Sequence, residues 1–203
     1  MAPKYKVTYF DIMALAEPIR YLLSYGGIEF EDVRVKGDDW PKLKNGTPFG
    51  KMPVLEVDGK KAHQSIAIAR YLGKQVGLAG ADDWQNLKID ATVDTVVDLR
   101  IAVVNAVFAD EATKAQKKET LEKDTLPFYL GRLDNQIKEN GGYLVDKKLT
   151  WADLHLAATV DSVNGALKTN IAANYSNVGS LTEKVWNLPK IKEWRAKRPS
   201  ASM

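Results

Sequence analysis

Among its 203 residues the chain has no cysteine. That excludes disulfides and cysteine-ligated zinc, and it agrees with a reducing compartment. Any thiol chemistry must therefore use a sulfur that a ligand carries in. Long apolar runs are also absent, none nearing the ~18 residues that a membrane-spanning helix needs. The opening MAPKYKVTYF has no apolar stretch of signal-peptide kind, so the expectation is a cytoplasmic protein with no membrane partner. Nor is there an excess of one charge: 29 Lys and Arg stand against 26 Asp and Glu, a net +3 and a pI near 8.9. The cations are dispersed, and Lys117 and Lys118 are offset by Glu119 and Glu122. Such a surface attracts anions weakly and is not a nucleic-acid footprint. Internal repeats and low-complexity segments are missing as well.

What is present is an ordinary globular composition, 45% apolar and 27% charged, in a chain long enough for one large domain or two small ones. The first part alternates strand and helix signals. Residues 4–10 place Tyr5, Val7 and Tyr9 on one face and Lys4, Lys6 and Thr8 on the other. A helix follows from about residue 16, with Pro18 in its first turn, Ile19, Leu22 and Leu23 on one side and Gly26-Gly27 at its end. A second strand is expected over 30–35, then a long loop. A hairpin over 54–63 turns at Asp58-Gly59, and a helix capped by Ser65 follows it. Past residue 82 strand signals stop. Residues 84–108 repeat apolar side chains at helical spacing, and a second long helix is expected over 113–139, bent at Pro127. Thr150-Trp-Ala-Asp153 has the capping-box pattern with Asp in place of Glu. Short helices over 180–187 and 189–197 complete the chain. The pattern is α+β: a small α/β domain over 1–77, a linker near 77–81, and an all-helical domain over 82–203.

The segments YKVTYF, AEPIRYLLSYGGIEFED, DDWPKLKNGTPFGKMPVLEVDGK, HQSIAIARYLG and LTWADL together resemble the sigma-class glutathione transferases, a group that includes haematopoietic prostaglandin D synthase and many invertebrate enzymes. The resemblance spans essentially the whole chain. It implies a thioredoxin-like N-terminal domain, a helical C-terminal domain, a homodimer and glutathione as co-substrate. A tyrosine in a strand reads by itself as a half-buried core residue; within this motif Tyr9 reads as the donor of a hydrogen bond to the glutathione sulfur. A glutathione thiol has pKa ~8.5, so only a few per cent is ionised at neutral pH. Lowering that pKa by about two units needs roughly 2.7 kcal/mol of preference for the thiolate. The resemblance further implies that Pro53 is cis and leaves Met52 to pair in strand fashion with the bound peptide. Gln64 and Ser65 at a helix start suit the γ-glutamyl carboxylate, and Ser65 can be a plain cap as well. Trp40 and Lys44 are implied to hold the glycine carboxylate, with Lys51 beside the backbone contact.

Asp90, Asp94 and Asp98 recur every fourth residue, so they share one helix face. Like charges so spaced repel mildly; the stripe is either a wet surface or a face that meets cations. By resemblance Asp98 reaches the amino group of glutathione in the partner subunit. Val97 stands where vertebrate relatives have the third of three metal-binding carboxylates, so no metal is expected. Leu15 takes the place of an arginine that steadies the thiolate in those relatives. For the electrophile, Phe10, Ile12, Ala14 and Leu15 are expected to face Arg100, Asn105, His155 and Thr159. A lone histidine on an apolar helix such as His155 is more often a packing residue than a catalyst, and His63 is read as structural. The activity implied is conjugation of glutathione to hydrophobic electrophiles, including lipid-peroxidation products, in detoxification. The alternatives are a glutathione-dependent prostaglandin isomerase, against which Leu15 and Val97 count, and a non-catalytic hydrophobic-ligand carrier or a structural protein of the lens-crystallin kind.

Overall fold

In the computed structural model, which describes residues 3–199, the alternation around Tyr9 becomes strand β1 (Tyr5–Phe10). Val7 and Tyr9 are buried by it, at 0% and 6% exposure. Helix α1 (Glu17–Tyr25) follows one 3-10 turn (Ala14–Ala16) and has its proline in the first turn, where the missing N–H leaves no bond unmade. Strand β2 (Phe30–Val35) runs parallel to β1, pairing Tyr5 with Phe30 and Tyr9 with Arg34. Strands β3 (Val54–Val57) and β4 (Lys60–His63) form the expected hairpin. Its turn residues Asp58 and Gly59 both have positive φ, 49° and 81°, as a two-residue hairpin turn with right-handed strand twist requires. The sheet order is β2-β1-β3-β4, with β1 antiparallel to β3.

Two expectations for this part are corrected. The stretch after β2 is not an open loop. It folds into a chain of short helical turns that includes α2 (Trp40–Leu43) and ends at Pro48–Gly50. Ser65 is not the cap of helix α3 (Ser65–Gln75); it is the first helical residue, and the cap position belongs to Gln64. Pro53 lies immediately before β3 and its peptide bond to Met52 is cis.

The chain divides into two units: residues up to Leu78 together with Leu188 onward, and Ala79–Asn187. Helix α4 (Asp83–Val107) opens the second unit, capped by Asp82, whose carboxylate accepts the Gln85 N–H at 2.8 Å. The long helix expected over 113–139 is instead α5 (Glu111–Thr120) and α6 (Leu126–Glu139), joined by a π-helical turn. The cause is Pro127, which brings no N–H and whose ring crowds the preceding turn; the ladder opens by one residue ahead of it, so that Leu126 N–H bonds to Leu121. Helix α7 (Trp151–Leu167) is buried along nearly its whole first two-thirds. Its start is set by Asp153, which is fully buried and accepts from Thr150 N–H (2.6 Å), Thr150 Oγ1 (3.0 Å) and Leu144 N–H (2.8 Å). Burial pushes the Asp153 carboxyl above its usual range although these three bonds oppose the shift. Helix α8 (Ser176–Trp186) begins earlier than the spacing predicts, because Asp134 accepts the N–H groups of Asn177 and Val178 at 2.7 and 3.0 Å and caps it from α6. Helix α9 (Pro189–Lys197) packs against α1 and so falls with the first unit, not with the helical domain that the sequence division carried to residue 203.

Candidate active site

In the first unit a cleft of about 220 Å³ is lined by Leu15, Phe49, Lys51, Met52, Pro53, His63, Gln64 and Ser65. Three separate elements meet there: the turn after β1, the end of the helical turns before β3, and the junction between β4 and α3. Only Gln64 separates β4 from α3, and it makes that corner with φ 71° and ψ 103°. A non-glycine residue there is strained by about 1–3 kcal/mol. The strain places the start of α3, with its unpaired first-turn N–H groups and positive dipole end, at the cleft. The ladder between β1 and β3 ends at Thr8 opposite Val54. Continued by one residue, that register sets Tyr9 opposite Pro53.

The remaining residues expected at the site are carried by the same unit. Phe10 stacks edge-on between Tyr9 and Trp40, with ring centroids 5.7 and 5.6 Å apart, so the aromatic end of β1 is tied to α2. Lys44 lies along Gly50, where a Cβ would come within 3.3 Å of its Cε. Trp40, Lys44 and Tyr9 are not among the lining residues of the cleft. Ile12, Ala14 and Leu15 are half-buried, in the turn between β1 and α1. Phe49 and His63, one not singled out from the sequence and the other read as structural, both line the cleft, with rings 5.0 Å apart. Phe49 has φ 51° and is 83% exposed.

In the second unit, Asp94 and Asp98 are exposed on α4, with Val97 half-buried between them. Among the described residues no group of three or more His, Cys, Asp or Glu side chains could hold a metal ion. His155 and Thr159 are buried one turn apart on α7, at 4% and 3% exposure, whereas Asn105 on α4 is exposed. His155 sets its ring edge-on to Trp151 at 6.3 Å, and its buried Nδ1 has no hydrogen-bond partner. Burial, with a smaller push from the positive charge of Arg100, lowers its pKa to about 4. It is therefore neutral throughout the physiological range. Because the folded-state pKa lies below the unfolded value near 6.5, the unfolded chain binds the proton first, and stability falls as pH drops from 6.5 towards 4. The expected loss over that window is about 3 kcal/mol. Urea unfolding at pH 7 and pH 4.5 checks it: the gap between the two curves should shrink in His155→Leu, and an equal gap in both proteins would exclude His155 as its source.

Residues 5–74 match the glutathione S-transferase N-terminal domain, and residues 97–198 match the glutathione S-transferase C-terminal domain. The chain belongs to the glutathione S-transferase family. It is 50% identical to a glutathione S-transferase of Anopheles gambiae, over 97% of this chain and 98% of that protein. The solved structure of prostaglandin synthase D of Nilaparvata lugens superposes with a TM-score of 0.93 at 46% identity, covering 97% of this chain and 99% of the other. A monomeric glutathione S-transferase of the hookworm Necator americanus gives a TM-score of 0.87 at 35% identity, covering 98% and 100%.

Proposed function

We propose that this protein binds glutathione, keeps its thiol ionised through Tyr9, and conjugates the sulfur to hydrophobic electrophiles, lipid-peroxidation products among them. The observation that carries this reading is the meeting of Leu15, Lys51, Met52, Pro53, Gln64 and Ser65 in one cleft at the start of α3, in a chain with no sulfur nucleophile of its own. Ser65 and the first turn of α3 receive the γ-glutamyl carboxylate. The Met52 backbone, beyond the last ladder pair of β3, pairs with the peptide, and Trp40 and Lys44 hold the glycine carboxylate with Lys51 alongside. The thiol proton leaves to solvent, and the phenolic O–H of Tyr9 donates to the sulfur and favours the thiolate. The sulfur then bonds to the electrophilic carbon. With an α,β-unsaturated aldehyde the displaced electron pair is taken up next to the carbonyl, where solvent returns a proton; with an aryl halide the halide departs. Half-buried Ile12, Ala14 and Leu15 supply apolar surface for such a substrate.

Leu15 in the cleft favours conjugation over prostaglandin isomerisation, since an apolar side chain brings no charge to assist attack on a peroxide. Asp98, exposed on α4, completes the site of a second copy in a homodimer by accepting from the glutathione amino group. Among the described residues no helix is long and apolar enough to cross a membrane.

Calorimetric titration with glutathione and an assay with a chlorinated nitrobenzene test the reading. Saturable binding and conjugation are expected, and neither appearing would overturn it. Asp98→Ala is expected to weaken glutathione binding about tenfold or more, the worth of a charge-assisted hydrogen bond. Unchanged affinity would refute the shared site and leave the rest standing.

A further inference from the structure

The turn that follows Tyr9 is held by charges that the conjugation chemistry does not use. Asp11 accepts from Arg34 Nη1 at 3.0 Å, and the Ile12 carbonyl accepts from Arg20 Nη1 at 2.9 Å. Both guanidinium groups also converge on Asp32, Arg20 Nε at 2.9 Å on one oxygen and Arg34 Nε at 2.8 Å on the other. Arg20 Nη1 further donates to Glu17 Oε2 at 3.1 Å. Glu17 and Arg20 are both fully buried. The other oxygen of Glu17 accepts from Trp194 Nε1 at 2.9 Å and from Arg198 Nη1 at 2.7 Å, donors 177 and 181 residues further along the chain. Three carboxylates and three guanidinium groups thus form one line from β2 through α1 to the end of α9. Arg34, at one end of it, is the cross-strand partner of Tyr9.

Buried ion pairs add little stability over apolar packing of the same volume, and their best-attested use is to fix register. What this one fixes is the path of the chain between Tyr9, the proposed hydrogen-bond donor to the sulfur, and Leu15. We infer that the line Arg34–Asp32–Arg20–Glu17, locked from α9 by Trp194 and Arg198, is the positioning device that keeps the Tyr9 hydroxyl in place against the glutathione sulfur. Trp194 and Arg198 are positioning residues in this scheme. They act through Glu17, Arg20 and the Ile12 carbonyl. The inference rests on the glutathione-conjugating reading above, and deepens it by giving the last helix a part in the first unit's chemistry.

Two variants cut the α9 arm alone. Trp194→Phe removes the N–H donor but keeps a ring to pack on Phe30, whose centroid lies 5.4 Å away; Arg198→Ala removes the cation, and Arg198→Lys returns a charge at that place. The readout is the apparent pKa of the bound thiol, from the absorbance of the thiolate at saturating glutathione and from the pH profile of kcat/KM. For Trp194→Phe and Arg198→Ala the pKa should rise by about one unit, with a loss of kcat/KM of about threefold at pH 7 that grows towards about tenfold below pH 6. Glutathione affinity should stay within about twofold, and Arg198→Lys should recover much of the profile. A lowered Tm with an unmoved titration curve in Trp194→Phe would overturn the inference, leaving the network a structural brace; that variant decides the question even if Arg198→Ala does not fold. A wild type that binds glutathione without any titrating thiolate would instead overturn the proposed function itself.

Discussion

Tyr9→Phe should lose about 25- to 50-fold in kcat/KM at pH 6.5–7, approaching 100-fold below about pH 5.5, while its affinity for glutathione changes little. The reasoning is a comparison of two thiol pKa values. Free glutathione ionises near 8.5, and a donor that lowers this by about two units supplies roughly 2.7 kcal/mol of preference for the anion. Phenylalanine keeps the ring, its burial at the end of β1 and its edge contact with Phe10, so the strand and the cleft stand as before. Only the hydroxyl is lost. In the proposed site the carboxylate and backbone contacts that set affinity are made elsewhere, so the loss is expected in the chemical step and not in binding. The pH profile separates this from a folding defect: the rate of Tyr9→Phe should climb with pH and approach wild type above about pH 9, where solvent ionises the thiol unaided. Parallel pH profiles, or equal turnover at neutral pH, would take Tyr9 out of the mechanism.

The largest expected effect on stability belongs to Asp153→Ala. Its carboxylate receives three hydrogen bonds inside the helical unit, from Leu144 N–H, Thr150 N–H and Thr150 Oγ1. Alanine leaves two backbone donors buried without partners, each worth about 1–3 kcal/mol, and removes the capping box that sets the start of α7. Relief of the desolvation that raises the Asp153 pKa offsets part of this. The net is about 3–5 kcal/mol, or a fall in Tm of about 10 °C for a chain of this size. Asp153→Asn retains one acceptor oxygen and should fall between the two. Differential scanning calorimetry gives the answer, and a Tm within about 2 °C of wild type would show that water replaces the carboxylate.

Much of this was legible in local sequence, and the failures have a common origin. Strand β1 follows from period-two alternation and the hairpin from Asp58-Gly59, which need no knowledge of neighbours. The capping box at Thr150 and Asp153 is equally local. Ser65 was misread because a serine before an apolar helical run is the ordinary cap signal, whereas here the corner is made by strained Gln64. The break between α5 and α6 was only half legible: Pro127 announced a distortion, but not that the ladder would widen ahead of it. Phe49 and His63 join the cleft because β4 returns alongside the turns before β3, which no spacing displays.

By itself the sequence determined the α+β order, the family, the absence of an internal thiol, and the residue types suited to an anionic tripeptide. These reside in periodicity, turn chemistry and composition, which act over a few residues. The tertiary structure alone decided that α9 belongs with the first unit and that Glu17 is shared among Arg20, Trp194 and Arg198. It also decided that His155 is a neutral, buried side chain. Burial and ion pairing between residues nearly 180 positions apart depend on which surfaces meet, and that information exists only once the chain has folded.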